Sequence, residues 1–282
     1  MKKRLKYLIP LLFILTSLTG CQTMGHFLSA QQQEPSEESS APQEKVPEEY
    51  VNQDVSSPRN LDVDLSDKQL ALIGDIPLGV ETSNWELTLI NRENRIKYDL
   101  NWPLETTAGD QLIDQRILRD FNAWAEQAEQ DGYPMQLISG FRTIEHQENN
   151  FNHTLNGYLS QGYEQEEALE MTYRFQQPPG ASEHHTGLAV DIIGQDFHQR
   201  GGGLTREFSE EESYSYYLDT MNNHGFILRY PEEKIDITGV YFEPWHYRYV
   251  GKENAKFMTA KNLSLEEYHA LIEVRDSQLG QE

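Results

Sequence analysis

"GASEHHTGLAVDI", residues 180–192, sets two adjacent histidines ahead of an apolar run that ends in an aspartate. The core of that run, "LAVDII" at 188–193, is short, apolar and β-branched, which predicts a strand. His184 and Asp191 stand seven residues apart on either side of its start. A second stretch, "YFEPWHYRYVG" at 241–251, supplies another carboxylate, Glu243, and another imidazole, His246. The segments 226–230 ("FILRY") and 240–250 also read as strands.

Working outward, "MQLIS" at 135–139 predicts a short buried strand that leads into "GFRT". Ile113, Ile117, Phe121 and Trp124 recur at three- and four-residue spacing, so an amphipathic helix is expected over about 110–130. Residues 144–176 read as helical, interrupted near "NGYLSQGY" and stopped by Pro178, Pro179 and Gly180. "WELTLINREN" at 85–94 alternates and then turns, which suits a strand and a loop. Ser209 with Glu212, and Ser264 with Glu267, read as capping boxes of two further helices. Helices fall early and late around a run of strands. The expected class is therefore α+β, with a small, mainly antiparallel sheet in a single domain over 61–282. About 220 residues suffice for one sizeable core.

The N-terminal region is different in kind. Residues 1–20 open with Lys2, Lys3, Arg4 and Lys6 and continue into an apolar run too short to span a bilayer, the pattern of a signal peptide. Cys21, the only cysteine, follows Leu18, Thr19 and Gly20, so no disulfide can form within one chain. Residues 21–60 are rich in Gln, Glu, Ser and Pro and predict a disordered tether. The formal charge is −23, and loss of the four signal cations makes it more negative still. Such acidity excludes nucleic acid as a partner and argues against protein-mediated binding to anionic lipid.

Zinc in catalytic sites takes three protein ligands from His, Asp and Glu and keeps a fourth position open. Residues 184–191 offer a histidine and an aspartate, and His246 a third donor. Glu243, three residues earlier, is the candidate general base. Spacing along the chain does not by itself bring the two segments together.

The strings add a resemblance. "SEHHTGLAVD" matches the pattern S-x-H-x-x-G-x-A-x-D of the VanY-type zinc D-alanyl-D-alanine carboxypeptidases, which include L,D-carboxypeptidases and dipeptidases. "EPWH" at 243–246 resembles their E-x-W-H motif, and "SGFRT" at 139–143 their S-G-[YF]-R-[ST]. The resemblance runs from about 85 to 272. It implies one zinc ion on His184, Asp191 and His246, with Glu243 as general acid/base and Arg142 steadying an oxyanion. Ser139, Gln147, Ser182, Arg229 and Tyr230 are implied at the substrate pocket. His185 is expected near the site without being a ligand. Cys21 resembles a lipoprotein lipobox cysteine, implying a protein held by lipid at the outer face of a bacterial membrane; a monomer is expected. The implied reaction is removal of C-terminal D-alanine from peptidoglycan stem peptides, by D,D- or L,D-cleavage. Two rivals stand beside it: a non-catalytic zinc-containing module that binds wall peptides, and an endopeptidase that cuts cross-links.

Overall fold

The apolar run at 188–193 does become a strand, and it lies at the middle of the molecule. The computed structural model describes residues 63–280; the expected signal segment, Cys21 and the tether lie outside them. The described elements are α1 (Asp67–Leu70), β1 (Leu104–Thr106), β2 (Leu112–Asp114), α2 (Leu118–Gln130), β3 (Met135–Ser139), α3 (Ile144–Ser160), α4 (Gln165–Phe175), β4 (Ala189–Gly194), α5 (Gln195–Gln199), α6 (Glu212–Thr220), β5 (Phe226–Leu228), α7 (Ile235–Thr238), β6 (His246–Tyr249), α8 (Lys252–Lys261) and α9 (Leu265–Leu279). Four strands form an antiparallel sheet in the order β3-β4-β6-β5, while β1 and β2 pair as a separate hairpin. The α+β class holds.

Every residue of β4 and β6 is buried. Their register sets Asp191 opposite His246, Val190 opposite Tyr247 and Ala189 opposite Arg248. Opposed residues share a face of the pleat, and neighbours along a strand alternate between faces. One face therefore carries Val190, Ile192 and Tyr247, which join Phe121, Trp124, Tyr217 and Phe226 in the main apolar cluster. The helix α2 reaches it with Phe121, Trp124 and Ala128, spaced three and four apart. Each large apolar side chain buried there contributes roughly 1.5–3 kcal/mol. The other face carries Asp191, His246 and Arg248.

A second cluster, with Leu87, Ile227, Val250, Met258, Tyr268 and Leu271, lies under α8 and α9. The expected cap of α9 forms in full: Ser264 Oγ accepts from Glu267 N at 3.2 Å, and Glu267 Oε2 accepts from Ser264 N at 2.7 Å. Helices α3 and α4 make a hairpin around Phe151, Leu155 and Ala168, and the break between them falls where the sequence placed it.

Four expectations are corrected. The helix expected from about 110 begins at Leu118, because 112–114 pairs with β1 and its backbone also meets the site loops, through Phe141 N to Leu112 O and Asp114 N to Gly187 O. Residues 85–94 hold no strand; the carbonyls of 86–88 are taken by side chains instead. Arg248 donates to Glu86 O and Thr88 O, and His269 to Leu87 O, which meets the demand for partners without a ladder. Ser209 caps nothing in α6, since its hydroxyl donates to Arg206 O at 2.8 Å and the helix opens at Glu212. The strand expected over 240–250 is confined to His246–Tyr249.

Candidate metal centre

Three chain segments meet at the end of β4. The first is "SGFRT". At Gly140 a Cβ would collide with the carbonyl oxygen of Leu112, so only glycine lets the backbone pass this close. The Gly140 carbonyl then lies 2.6 Å from His184 Nδ1. A carbonyl only accepts, so Nδ1 carries the proton and Nε2 keeps its lone pair for the site. The second segment is a short 3-10 turn, Glu183–Thr186, which closes on Gly187 in the left-handed region at φ 68°. Arg142 N donates to His184 O at 3.1 Å, tying the two segments together. The third is the turn before β6, where Glu243 N donates to Tyr230 O and His246 N to Glu243 O.

These connections focus His184, Asp191 and His246. All three are buried, and their ligand atoms lie within 4.8 Å of one another. His184 Nε2 is 3.2 Å from Asp191 Oδ2, and His246 Nδ1 is 2.9 Å from Asp191 Oδ1. The latter approach is close but misaligned, and Asp191 Oδ1 has no hydrogen-bond donor among the described residues. A buried carboxylate oxygen without a donor is costly; a cation at the common focus removes that cost. Two imidazole nitrogens and one carboxylate form a zinc donor set with a position to spare. The residues fit a zinc ion.

Glu243 stands at the edge of the focus, its Oε2 3.6 Å from His246 Nδ1. Its side chain opens only to the cavity, so burial, reinforced by Asp191, pushes its carboxyl up to about 7 although His246 opposes the shift. Burial alone would depress His246, but Asp191 and Glu183 outweigh it and raise the imidazole to about 9. A metal therefore displaces a proton here. Burial likewise disfavours the charged Asp191, yet His184 and His246 hold it well below the usual carboxylate range.

The cavity beside this focus has a volume of about 380 Å³. Arg142, Gln147, Ser182 and Tyr230, all named by the resemblance, line it. Arg142 is held by Gln147 Oε1 at 2.5 Å and Ser139 Oγ at 3.1 Å, with Nη2 3.9 Å from Asp191 Oδ2. Ser139 is off the cavity wall; it steadies Arg142. Arg229 is a clearer correction. Its guanidinium is fully buried, donates to Glu183 at 2.8 Å and to Glu266 at 2.6 and 2.9 Å, and is not among the residues that line the cavity. His185 is no ligand: Nε2 accepts from Gly180 N at 3.2 Å, leaving Nδ1 to donate to Arg142 O at 2.7 Å.

Other contributors went unseen. Phe175, Gln176 and Gln177, from the end of α4, wall the cavity with Arg206, Tyr241 and Phe242. Gln177 Oε1 accepts from Arg92 Nε at 3.3 Å. Glu183, wholly buried, accepts from Arg229 and Arg248 and faces His246. An acid beside a ligand histidine has no spacing signature, so nothing in the string singled it out.

A family model described as VanY, D-alanyl-D-alanine carboxypeptidase, matches residues 110–252. A D-alanyl-D-alanine carboxypeptidase of Enterococcus faecalis (strain ATCC 700802 / V583) is 38% identical over 189 residues, 67% of this chain and 67% of its own length. Among solved structures, a mutant of the vancomycin-resistance D,D-pentapeptidase VanY in complex with Zn(II) is 37% identical with a TM-score of 0.58, covering 66% of this chain and 99% of that one. VanYB in complex with D-alanine-D-alanine is also 37% identical, at TM-score 0.59 over 66% and 97% of the two chains. The LD-carboxypeptidase LdcB is 28% identical at TM-score 0.52, over 66% and 87%.

Proposed function

We propose a function on one premise: the chain belongs to the D-alanyl-D-alanine carboxypeptidase family described as VanY. It is a cell-wall carboxypeptidase, and the reaction we assign is hydrolysis of the bond before a C-terminal D-alanine of a peptidoglycan stem peptide. One observation carries the reading: His184, Asp191 and His246 converge on one focus with Glu243 beside it, on the wall of a cavity.

His184 Nε2, an Asp191 oxygen and His246 Nδ1 would hold the zinc ion. Bound there, zinc supplies activation of water and polarisation of a carbonyl. Glu243 takes the proton of the attacking water and returns it to the leaving amine. A carboxyl raised toward neutrality is suited to both transfers. Arg142, immobilised by Gln147 and Ser139, presents a permanent positive charge to the oxyanion that develops on the substrate. Tyr230 packs its ring against the His246 imidazole at 4.9 Å and limits its rotation.

Glu243 also supports catalysis over mere peptide binding, since a binding module has no use for an acid beside the metal. The α3–α4 hairpin walls the cavity with Gln147, Phe175, Gln176 and Gln177, which favours trimming a chain end over cutting within a cross-link. The test is incubation with defined penta- and tetrapeptide muropeptides, with and without chelator, followed by mass spectrometry. Loss of one D-alanine from the pentapeptide reads as D,D-cleavage and from the tetrapeptide as L,D-cleavage. No loss from either, with zinc present, sinks the assignment.

We propose in addition that Cys21 is lipidated and holds a monomeric enzyme at the outer face of the membrane. The basic and apolar residues before it support this. Cys21→Ala is expected to release the protein from the membrane fraction.

A further inference from the structure

The strongest feature that the proposed mechanism leaves unused is a buried carboxylate behind the metal focus. We infer that Glu183 is the positioning residue of this centre: its carboxylate takes the Nε2–H of His246 and so keeps Nδ1 aimed at the focus shared with His184 and Asp191. This rests on the zinc reading above and extends it to residues that touch neither metal nor substrate.

The first argument is a matched pair of orphans. Glu183 Oε2 and His246 Nε2 are both buried, neither has a hydrogen-bond partner among the described residues, and they face each other at 3.7 Å. That separation exceeds an ordinary N–H···O length of about 2.9 Å by less than an ångström. If Nδ1 gives its lone pair to a metal, Nε2 must carry the proton. A carboxylate is the strongest acceptor that proton can meet. A partner on the far nitrogen is what fixes the ring and tautomer of a metal-bound histidine.

The second argument is that Glu183 cannot swing away. Its Oε1 accepts from Arg229 Nε at 2.8 Å and from Arg248 Nη1 at 2.6 Å. Arg229 is anchored in turn by Glu266 of α9. Arg248 is anchored by the carbonyls of Glu86, Thr88 and Tyr249. Two acids and two arginines balance, as buried charges must. A purely structural counter-ion for the arginines would need only Oε1; the unpaired Oε2 turned toward the imidazole is left unexplained by that role. Glu266 and the 86–88 carbonyls lie outside the matched residues 110–252, so the flanks of the chain brace the centre from behind.

The experiment measures zinc affinity of the full chain by chelator competition, together with D-alanine release and thermal unfolding of the zinc-free protein. Wild type that binds no zinc, or releases no D-alanine, overturns the functional reading itself. With wild type active, Glu183→Gln is expected to weaken zinc binding about 10- to 100-fold. Glu266→Gln loosens Arg229 without touching the Glu183–His246 pair, and is expected to lower the zinc-free Tm while zinc affinity stays within about threefold. Unchanged zinc affinity in folded Glu183→Gln, or equal losses in the two variants, overturns the inference. Should Glu183→Gln fail to fold, ¹⁵N–¹H spectra of the His246 ring in zinc-loaded wild type decide. A protected proton on Nε2 supports the assignment, and a proton on Nδ1 overturns it.

Discussion

Alternate residues of the same two strands build both faces of the β4–β6 pair, yet the faces are held by opposite means. On one, Val190, Ile192 and Tyr247 pack against Trp124, whose ring lies 5.2 Å from Phe226 and 5.3 Å from Tyr247. Stability there is chiefly a matter of area and fit, with few specific polar contacts such as Trp124 Nε1 donating to Thr220 Oγ1 at 3.0 Å. On the other, Asp191, His246 and Arg248 meet His184, Glu183 and Arg229, and every buried charge requires a specific opposite. The lesson is a division of labour. Damage to the apolar face should cost folding and spare chemistry, whereas damage at the metal focus should cost chemistry first.

The sharpest way to break that contrast is at the ligands. His246→Ala is expected to abolish zinc binding and with it all D-alanine release; full metal content in that variant, read by elemental analysis, would refute the assigned focus. Next in size, Glu243→Ala is expected to lower turnover about 10²- to 10⁴-fold with zinc content unchanged, so metal analysis and D-alanine assay must part company. On the apolar face, Trp124→Ala should destabilise by about 3–5 kcal/mol in urea titrations, while the protein that remains folded keeps its zinc. Coupled losses of fold and metal in that variant would mean the two faces are not independent.

The last test is a pH dependence. Burial pushes His185 and His269 each down to about 4, although both donate to backbone carbonyls. Above the unfolded value of about 6.5 both states are neutral and stability is whole. As pH falls from there toward 4 the unfolded chain takes up protons that the folded chain refuses. Stability is lost over that window, on the order of 2–3 kcal/mol per histidine at its lower end. Urea midpoints at pH 7 and pH 4.5 check this, and equal midpoints would contradict it. His246 moves the other way in zinc-free protein: its stabilisation is present below about 6.5 and fades as pH rises through about 9.

Much of the site was legible in the string because each part of it is local. His184, Gly187 and Asp191 belong to one turn and one strand, and Glu243 and His246 to another turn. What eluded sequence reasoning were groups whose partners are remote. Residues 85–94 alternate like a strand, yet the side chains of Arg248 and His269, more than 150 positions away, claim carbonyls that a ladder would have used. Arg229 reads as a pocket residue beside Tyr230, but Glu183 and Glu266 draw it behind the site. Ser209 has a capping spacing but sits inside the 3-10 turn Arg206–Glu210, two residues before the N-cap Glu211.

Period and turn chemistry, which act over a few residues, suffice to specify a central apolar strand, the helices at either end and the residue types a zinc hydrolase requires. That Asp191 stands opposite His246, and that Glu183 turns its second oxygen toward that imidazole, are choices made in the folded chain. Those choices depend on strand register and on which buried charges find each other. Both are settled by burial across long loops, which no local pattern encodes.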